Sequence, residues 1–167
     1  SCWLSAVAFA QVEDTRKMIT MPELVITSTP FKDRSELNMT QPTSVLQGDS
    51  LRRKREANLG DTLINEVGGT SSSFGPGAGR PIIRALDGPR IQVLENGIGS
   101  LDVSSLSPDH PVAIETLSAS QIEILRGPAT LLYGGGATGG VVNIVNRNIP
   151  NQLYKALTGN YEVRGNT

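Results

Sequence analysis

The segment formed by residues 122–145 constrains the fold of this chain more than any other part of it. Two apolar runs rich in Val and Ile enclose a glycine cluster, and residues 134–140 include five glycines. β-Branched residues favour the pleated surface of a sheet, and glycine permits backbone turns that a side chain would obstruct. The segment therefore predicts a strand, a tight turn, a short helical piece, a glycine turn and a second strand.

The rest of the chain carries weaker structural signals. Residues 47–58 predict a helix capped by Asp49 or Ser50, and residues 59–64 predict a second short helix. The glycine-rich residues 67–79 predict a loop. Apolar and polar residues alternate from residue 90 as they do in a strand, and the strand ends at the turn dipeptide Asn96-Gly97.

Composition and charge narrow the function classes. With 15 basic and 16 acidic residues the formal net charge is −1, so there is no bulk electrostatic reason to expect a nucleic acid as partner. The basic run at residues 52–55 points to all sides of a helix, so we expect a solvated helix rather than a binding face. Eighteen glycines, 10 prolines and only 4% aromatic residues indicate a small, turn-rich mixed fold.

The segment 122–145 resembles the C-terminal signature of the plug domain of TonB-dependent outer-membrane receptors. An apolar-Glu-apolar-apolar-Arg-Gly-Pro run ends at Pro128, Tyr133-Gly134 follows, and Gly-Gly-Val-Val-Asn-Ile ends at Ile144. Leu-Gly-Asp-Thr-Leu at residues 59–63 is similar to the first plug signature, and residues 80–97 are similar to the middle of the domain. The resemblance covers roughly residues 23 to 147.

The resemblance implies an α+β fold, in which a small mixed β-sheet with short helices is followed by the first strand of a transmembrane β-barrel. We expect a signal-peptide remnant at 1–10, a flexible leader with the TonB box at 11–30, the plug at 31–150 and the start of the barrel at 151–167. A single transmembrane strand cannot satisfy its own backbone groups in lipid. The chain is therefore expected to be the N-terminal fragment of a longer receptor, with a barrel of about 22 strands.

A short β-prone run lies between Pro22 and Pro30. It consists of Glu23, Leu24, Val25, Ile26 and Thr27. The prolines make it a poor central strand, but an extended peptide of this kind can add to the sheet edge of another protein. An ordinary edge strand is the alternative. In position and character the run resembles a TonB box, which a TonB-type coupling protein grips from the periplasm.

Asp109-His110 is the pair with plausible metal chemistry, and His110 is the one histidine of the chain. A carboxylate beside an imidazole suits zinc, although two ligands do not close a site. Prolines bound the loop, so a solvent-facing turn is the alternative. The segment is most similar to the zinc-uptake branch of these receptors, which implies that both residues contact the metal first on the extracellular side. Haem is the rival substrate, with His110 as an axial ligand.

Enzymatic activity is not expected. No serine lies in G-x-S-x-G. A Ser-His-Asp triad would have to use His110, which lies next to a proline in a loop. Residues 134–139 satisfy G-x-G-x-x-G, but a strand-like run follows them where a dinucleotide site needs a helix. We expect Arg126 beneath the glycine turn, paired with a carboxylate or with groups of the barrel wall. The alternative is a solvated arginine.

The predicted function is gated, energy-coupled import of a metal ion or metal chelate across the outer membrane of a Gram-negative cell. Zinc is favoured as the transported ligand, haem or a siderophore is the other possibility, and no resident cofactor is required. The expected partners are the TonB-type coupling protein, the chain's own C-terminal β-barrel, the substrate and the outer membrane. The alternative is a stand-alone periplasmic binding or signalling module with a plug-like fold.

Overall fold

The computed structural model describes residues 25–26, 34–35, 42–75, 77–100, 102–107, 109–146 and 161. The strands are β1 (Val25–Ile26), β2 (Arg34–Ser35), β3 (Thr43–Gln47), β4 (Gly69–Ser73), β5 (Gly79–Ile83), β6 (Ile91–Glu95), β7 (Ile98–Gly99), β8 (Ala119–Leu125) and β9 (Gly140–Asn146). The helices are α1 (Gly48–Lys54) and α2 (Leu59–Leu63). Short 3₁₀ helices lie at Gly88–Arg90, Val103–Ser105, Pro128–Tyr133 and Gly135–Ala137.

A five-stranded sheet with the order β3-β8-β9-β6-β7 forms the centre of the described fold. Strand β9 is antiparallel to β8 and parallel to β6, so the sheet is mixed. Two small antiparallel pairs, β4-β5 and β1-β2, stand beside it. The predicted α+β fold, a small mixed sheet with short helices, is confirmed. Among the described residues, no helix has the length and apolar character needed to cross a membrane.

The two central strands are covered on both faces. Ile122 and Ile144 are fully buried on the face that packs against both helices. Val141 and Leu125 are buried on the other face, against Ala137 of a 3₁₀ helix. A strand covered on both sides reads as a nearly continuous apolar run. This burial explains why residues 122–145 carry the strongest signal in the sequence, and the predicted strand–turn–helical piece–turn–strand order is confirmed.

A buried polar pair, Glu123 and Asn143, interrupts the apolar strands. Glu123 and Asn143 have no exposed surface, and Asn143 Nδ2 donates to Glu123 Oε2 at 2.9 Å. Asn143 Oδ1 in turn accepts the main-chain N–H of Gly97 at 2.8 Å. Buried polar groups are tolerated where they are hydrogen-bonded. This pair therefore ties the β6–β7 turn to the centre of the sheet, and the predicted Asn96-Gly97 turn is present with φ of 50° and 81°.

The first helix differs from its prediction at both ends. It begins after Gln47, and the Ser50 hydroxyl accepts the Gln47 N–H at 3.3 Å, so the expected cap at Asp49 or Ser50 is wrong. It ends at Lys54, because the next residue, Arg55, has extended backbone and is engaged elsewhere. Arg55 is buried, and its guanidinium donates to the carbonyls of Leu117 at 3.1 Å and Ala119 at 2.6 Å.

The predicted loop at residues 67–79 is wrong in part, because residues 69–73 form β4 and pair with β5. Glycines at positions 60 and 69 allow α2 and the β4-β5 hairpin to pack closely. A Cβ atom on Gly69 would lie 2.2 Å from the carbonyl oxygen of Leu63, and one on Gly60 would lie 2.7 Å from that of Arg80. Helix α2 therefore lies directly on the β4-β5 hairpin. The second helix was predicted within one residue of its end. The structure shows Asn58 as its cap, and the Asn58 side chain accepts the Asp61 N–H at 2.8 Å.

Several expected segments cannot be compared with the structure. The signal-peptide remnant at 1–10 lies outside the described residues. The leader is described only at Val25–Ile26, and the expected first barrel strand at 151–167 only at Tyr161. These boundaries stay predictions.

Replacement Arg55→Ala should lower the free energy of unfolding by about 2 kcal/mol, because a buried and a partly buried carbonyl lose a charged donor. Urea unfolding of the 167-residue chain measures the change. Arg53→Ala is the matched control, since Arg53 lies exposed on α1 two residues earlier. Equal effects of the two replacements would contradict a structural role for the Arg55 hydrogen bonds.

Candidate functional site

The Asp109–His110 pair lies on the segment that connects β7 to β8. Both side chains are largely exposed, at 62% for Asp109 and 53% for His110. The carboxylate oxygen Oδ1 of Asp109 lies 3.0 Å from Nδ1 of His110 and also accepts a hydrogen bond from the Ser107 hydroxyl. The exposed position agrees with the sequence analysis. Their role as metal ligands stays a prediction.

The donor set of this loop is small. No cluster of three or more His, Cys, Asp and Glu side chains suited to a metal ion exists in the part of the chain that the structure describes. Asp109 and His110 therefore supply one oxygen donor and one nitrogen donor. Such a pair can contact a metal or a chelate, but further donors have to come from the substrate or from another part of the protein.

Hydrogen bonding keeps the Asp109 carboxyl ionised. The bond from the Ser107 hydroxyl is the main cause that lowers its pKa below the ordinary value, and the bond with His110 adds to it. Because the group is fully exposed, this shift bears on its charge and has little weight for stability. The loop thus presents a carboxylate that stays charged to a lower pH than a free aspartate.

A cavity of about 470 Å³ separates the start of this loop from β6. Ile91 and Val93 line it on the sheet side, and Val103 and Leu106 line it on the loop side. Val103 and Leu106 remain 57% and 83% exposed. Apolar burial therefore contributes little to fixing the start of the loop.

Arg126 directly follows β8 and is buried, so the alternative of a solvated arginine is wrong. Its Nη1 donates to the Ser44 hydroxyl at 2.8 Å, while Nε and Nη2 are buried and bond to none of the described residues. Burial lowers the pKa of its guanidinium, the nearby Glu66 raises it and Arg84 lowers it further. The expected direct pairing with a carboxylate is not found within the described residues.

Arg84, beside this site, has an unusual backbone. Arg84 and Ala85 have φ of 51° and 62°, and Ile83 and Leu86 exchange two main-chain hydrogen bonds of 3.0 Å around them. Residues other than glycine adopt such angles at a cost of about 1 kcal/mol or more each, and they concentrate at functional sites. Arg84 thus brings a second positive charge near Arg126, and Glu66 is the nearby acid that opposes it.

Two residues of the predicted TonB box are described. Val25–Ile26 forms β1 and pairs antiparallel with β2, with Val25 opposite Ser35 and Ile26 opposite Arg34. The extended backbone agrees with the expected peptide. Glu23, Leu24 and Thr27 lie outside the described residues, so the TonB box stays a prediction.

The sequence model of the TonB-dependent receptor plug domain matches residues 35–141. The chain belongs to this plug family. It is 31% identical over 146 residues to the rhizobactin receptor of Rhizobium meliloti (strain 1021), a match that covers 85% of this chain and 19% of the relative. It is 27% identical over 147 residues to the hemin receptor of Yersinia pestis, which covers 84% of this chain and 20% of that protein.

A solved structure supports the fold of the plug. The ferric-catecholate import receptor Fiu of E. coli K12 superposes with a TM-score of 0.54 at 21% identity, over 79% of this chain and 19% of that one. The chain thus spans about a fifth of the length of the proteins it matches.

The relatives correct one expectation and support another. They are named as receptors and not as enzymes, in agreement with the sequence analysis. Their names refer to rhizobactin and hemin, so the assignment of the plug to the zinc-uptake branch is not supported. The adjacent Asp109 and His110 motivated that assignment, but two donors on an exposed loop do not specify one metal.

Sequence reasoning missed two residues that hold the candidate loop, Asp102 and Arg80. The Asp102 side chain accepts the N–H of Ser104 at 2.9 Å, and an aspartate two residues before the bonded amide is a recognisable turn signal. Arg80 donates to the Ser104 carbonyl at 2.7 Å across 24 residues. No local sequence pattern predicts such a long-range hydrogen bond.

Ser107→Ala should raise the pKa of the Asp109 carboxyl towards its ordinary value, because the largest stabilising bond of the carboxylate is removed. In the wild-type plug the pKa is depressed, so the preference for the charged form is lost as the pH falls through that pKa. An NMR titration of the Asp109 carboxyl measures it. Ser118→Ala, which removes a bond to the Glu115 carbonyl, is the control. An unchanged titration in Ser107→Ala would rule out this bond as the cause.

Proposed function

We propose that this plug belongs to an outer-membrane transporter that imports a metal chelate of the siderophore or haem class. Membership of the plug family is the observation that carries the proposal, and the names of the relatives supply the substrate class. Transport leaves the substrate chemically unchanged, which agrees with the lack of a nucleophile constellation in the sequence.

The Asp109–His110 loop is the proposed first contact for the substrate. An exposed imidazole can bind haem iron as an axial ligand. An ionised carboxylate beside it can bind a metal or accept hydrogen bonds from polar groups of a chelate. A free zinc ion is the second candidate, because a carboxylate and an imidazole are both zinc ligands, although two donors leave such a site incomplete. In either case the remaining contacts come from the barrel.

Pairing of Arg126 with the barrel wall stays a proposal from the sequence. Its Nε and Nη2 bond to none of the described residues and form a planar edge that suits a bidentate carboxylate. Both atoms are buried, so a barrel carboxylate would reach them only after local opening of the plug. Arg84 is exposed nearby and offers a barrel carboxylate a positive charge without such opening.

The segment that carries Asp109 and His110 leads into β8 at Ala119, whereas Thr43 of β3 lies opposite Leu125 at the other end of the strand. Seven strand residues separate these ends by about 20 Å. The leader precedes β3 in the sequence, so a pull on the leader would act on the sheet from the end of β8 that is paired with Thr43.

Force on the leader would reach the β1-β2 pair and then β3, the first strand of the central sheet. In the described part of the sheet, β3 is an edge strand paired with β8. Its removal would withdraw Leu46 from the core and uncover the edge of β8. Local opening of such edge elements requires less free energy than global unfolding. A path past the plug would follow from this partial opening.

A stand-alone binding or signalling module is the alternative. The complete reading frame decides between the two. Repeated segments of about ten residues with alternating hydrophobicity after residue 167 would support the transporter, and a stop codon at that point would support the module.

Val25→Pro in the full receptor should abolish energy-coupled uptake and leave surface binding intact. Proline removes the main-chain N–H and the φ freedom that strand addition to the coupling protein requires. Val25→Ala keeps that N–H and is the control. Accumulation of labelled substrate by cells is compared with binding to de-energised cells, and wild-type uptake by Val25→Pro would exclude the TonB-box assignment.

His110→Ala and Asp109→Ala in the full receptor should each weaken substrate binding about tenfold, equivalent to roughly 1.4 kcal/mol. Calorimetry with hemin, a ferric siderophore and Zn²⁺ identifies the class, because the losses should concentrate on one probe. Glu115→Gln, an exposed acid of the same segment, is the control. Unchanged affinity for all three probes would reject this loop as the contact.

A further inference from the structure

The position of the candidate loop depends on polar bonds at its start. Apolar contacts are weak there, because the cavity beneath Val103 and Leu106 separates them from β6. The far end of the loop is different. Ile114 is buried in the main core, and the Thr116 hydroxyl donates to the Glu56 carbonyl at 3.2 Å. One end of the loop is thus anchored by packing, and the other needs a different restraint.

Asp102 supplies that restraint with both carboxylate oxygens. Oδ1 accepts the main-chain N–H of Ser104 at 2.9 Å, and Oδ2 accepts the main-chain N–H of Ala113 at 2.8 Å. The first bond shapes the 3₁₀ turn that begins the loop. The second bond joins that turn to the residue before the anchored Ile114. A single side chain therefore closes the loop formed by residues 103–112.

Arg80 fixes the same turn to the β4-β5 hairpin. Arg80 is buried, and its Nη1 donates to the Ser104 carbonyl at 2.7 Å. Its Nη2 lies 3.3 Å from the Asp87 carboxylate, which holds the guanidinium in place. The turn is thus bonded on its N–H side by Asp102 and on its carbonyl side by Arg80.

We propose that Asp102 is a positioning residue that holds the Asp109–His110 loop in the arrangement that contacts substrate. This inference rests on the proposed function of that loop. Without the Asp102 bonds the start of the loop keeps the Arg80 bond to the Ser104 carbonyl but is no longer joined to Ala113, so more of its ordering has to occur when the substrate binds. A loop that is already ordered avoids this loss of conformational entropy on binding. Asp102 therefore contributes to affinity without touching the substrate.

Asp102→Asn is the sharpest test, because it keeps the size of the side chain and removes one acceptor. The amide Nδ2 cannot accept an N–H, so one of the two bonds is lost. Amide hydrogen exchange in the 167-residue chain should rise about five- to tenfold within residues 103–113. Exchange at Ile122 and Ile144 in the core should stay unchanged. Glu115→Gln makes the same chemical change where the carboxylate accepts only the nearby Leu117 N–H.

A second measurement uses Zn²⁺ alone as the probe. Calorimetry should show a Zn²⁺ affinity about tenfold weaker in Asp102→Asn than in wild type. In the His110→Ala background the same replacement should have no further effect, since the two residues act through one site. Glu115→Gln should bind Zn²⁺ like wild type.

The outcomes separate this proposal from the function of the loop. Unchanged exchange in residues 103–113, or an equal rise in the core, would overturn the positioning role. An unchanged Zn²⁺ affinity of Asp102→Asn would also overturn it where Zn²⁺ binding by the wild type depends on His110. If wild-type Zn²⁺ binding does not depend on Asp109 and His110, the proposed contact role for zinc fails. The hydrogen-exchange measurement then decides alone. A rise confined to residues 103–113 supports the positioning role of Asp102, and the absence of such a rise contradicts it.

Discussion

The pairing of β8 with β9 is the interaction on which the rest of the plug depends. Each strand buries apolar side chains on both faces, and β3 and β6 pair with their outer edges. The buried Glu123 and Asn143 meet only when this pair is in register, because they lie directly opposite each other. A shift by one residue would separate them and remove a hydrogen bond from a buried carboxylate, which destabilises the shifted register. The polar pair thus favours one register of the central strands.

The candidate residues flank β8 along the chain. The loop with Asp109 and His110 precedes β8, and Arg126 follows it. Antiparallel pairing brings the start of β3 beside Arg126, where the Arg126 N–H donates to the Pro42 carbonyl at 3.2 Å. Strand β8 thus connects the proposed substrate contact to the buried cation and to the first strand of the central sheet.

Predictions from the sequence were accurate where the signal is local. Residues 122–145, the helix at 59–63 and the Asn96-Gly97 turn are formed by patterns within a few residues. Predictions were wrong where a distant partner decides the conformation. Residues 69–73 lack apolar side chains, and they form a strand because β5 pairs with them and α2 lies close to their glycine. Helix α1 ends early as Arg55 turns to carbonyls more than 60 residues away. The preference for zinc as the transported ligand was given too much weight, since an Asp-His pair is compatible with several substrates.

The sequence by itself determined the family, the central strands and the pair of side chains exposed for contact, because each depends on residue types at short spacing. Tertiary structure alone decided how that pair is held. The bonds from Asp102 to Ala113 and from Arg80 to Ser104 join residues 11 and 24 positions apart. It also decided that Arg126 is buried, with two nitrogens that bond to none of the described residues. Hydrogen bonds and burial between distant residues arise from the folded path of the chain, and a linear pattern does not encode that path locally.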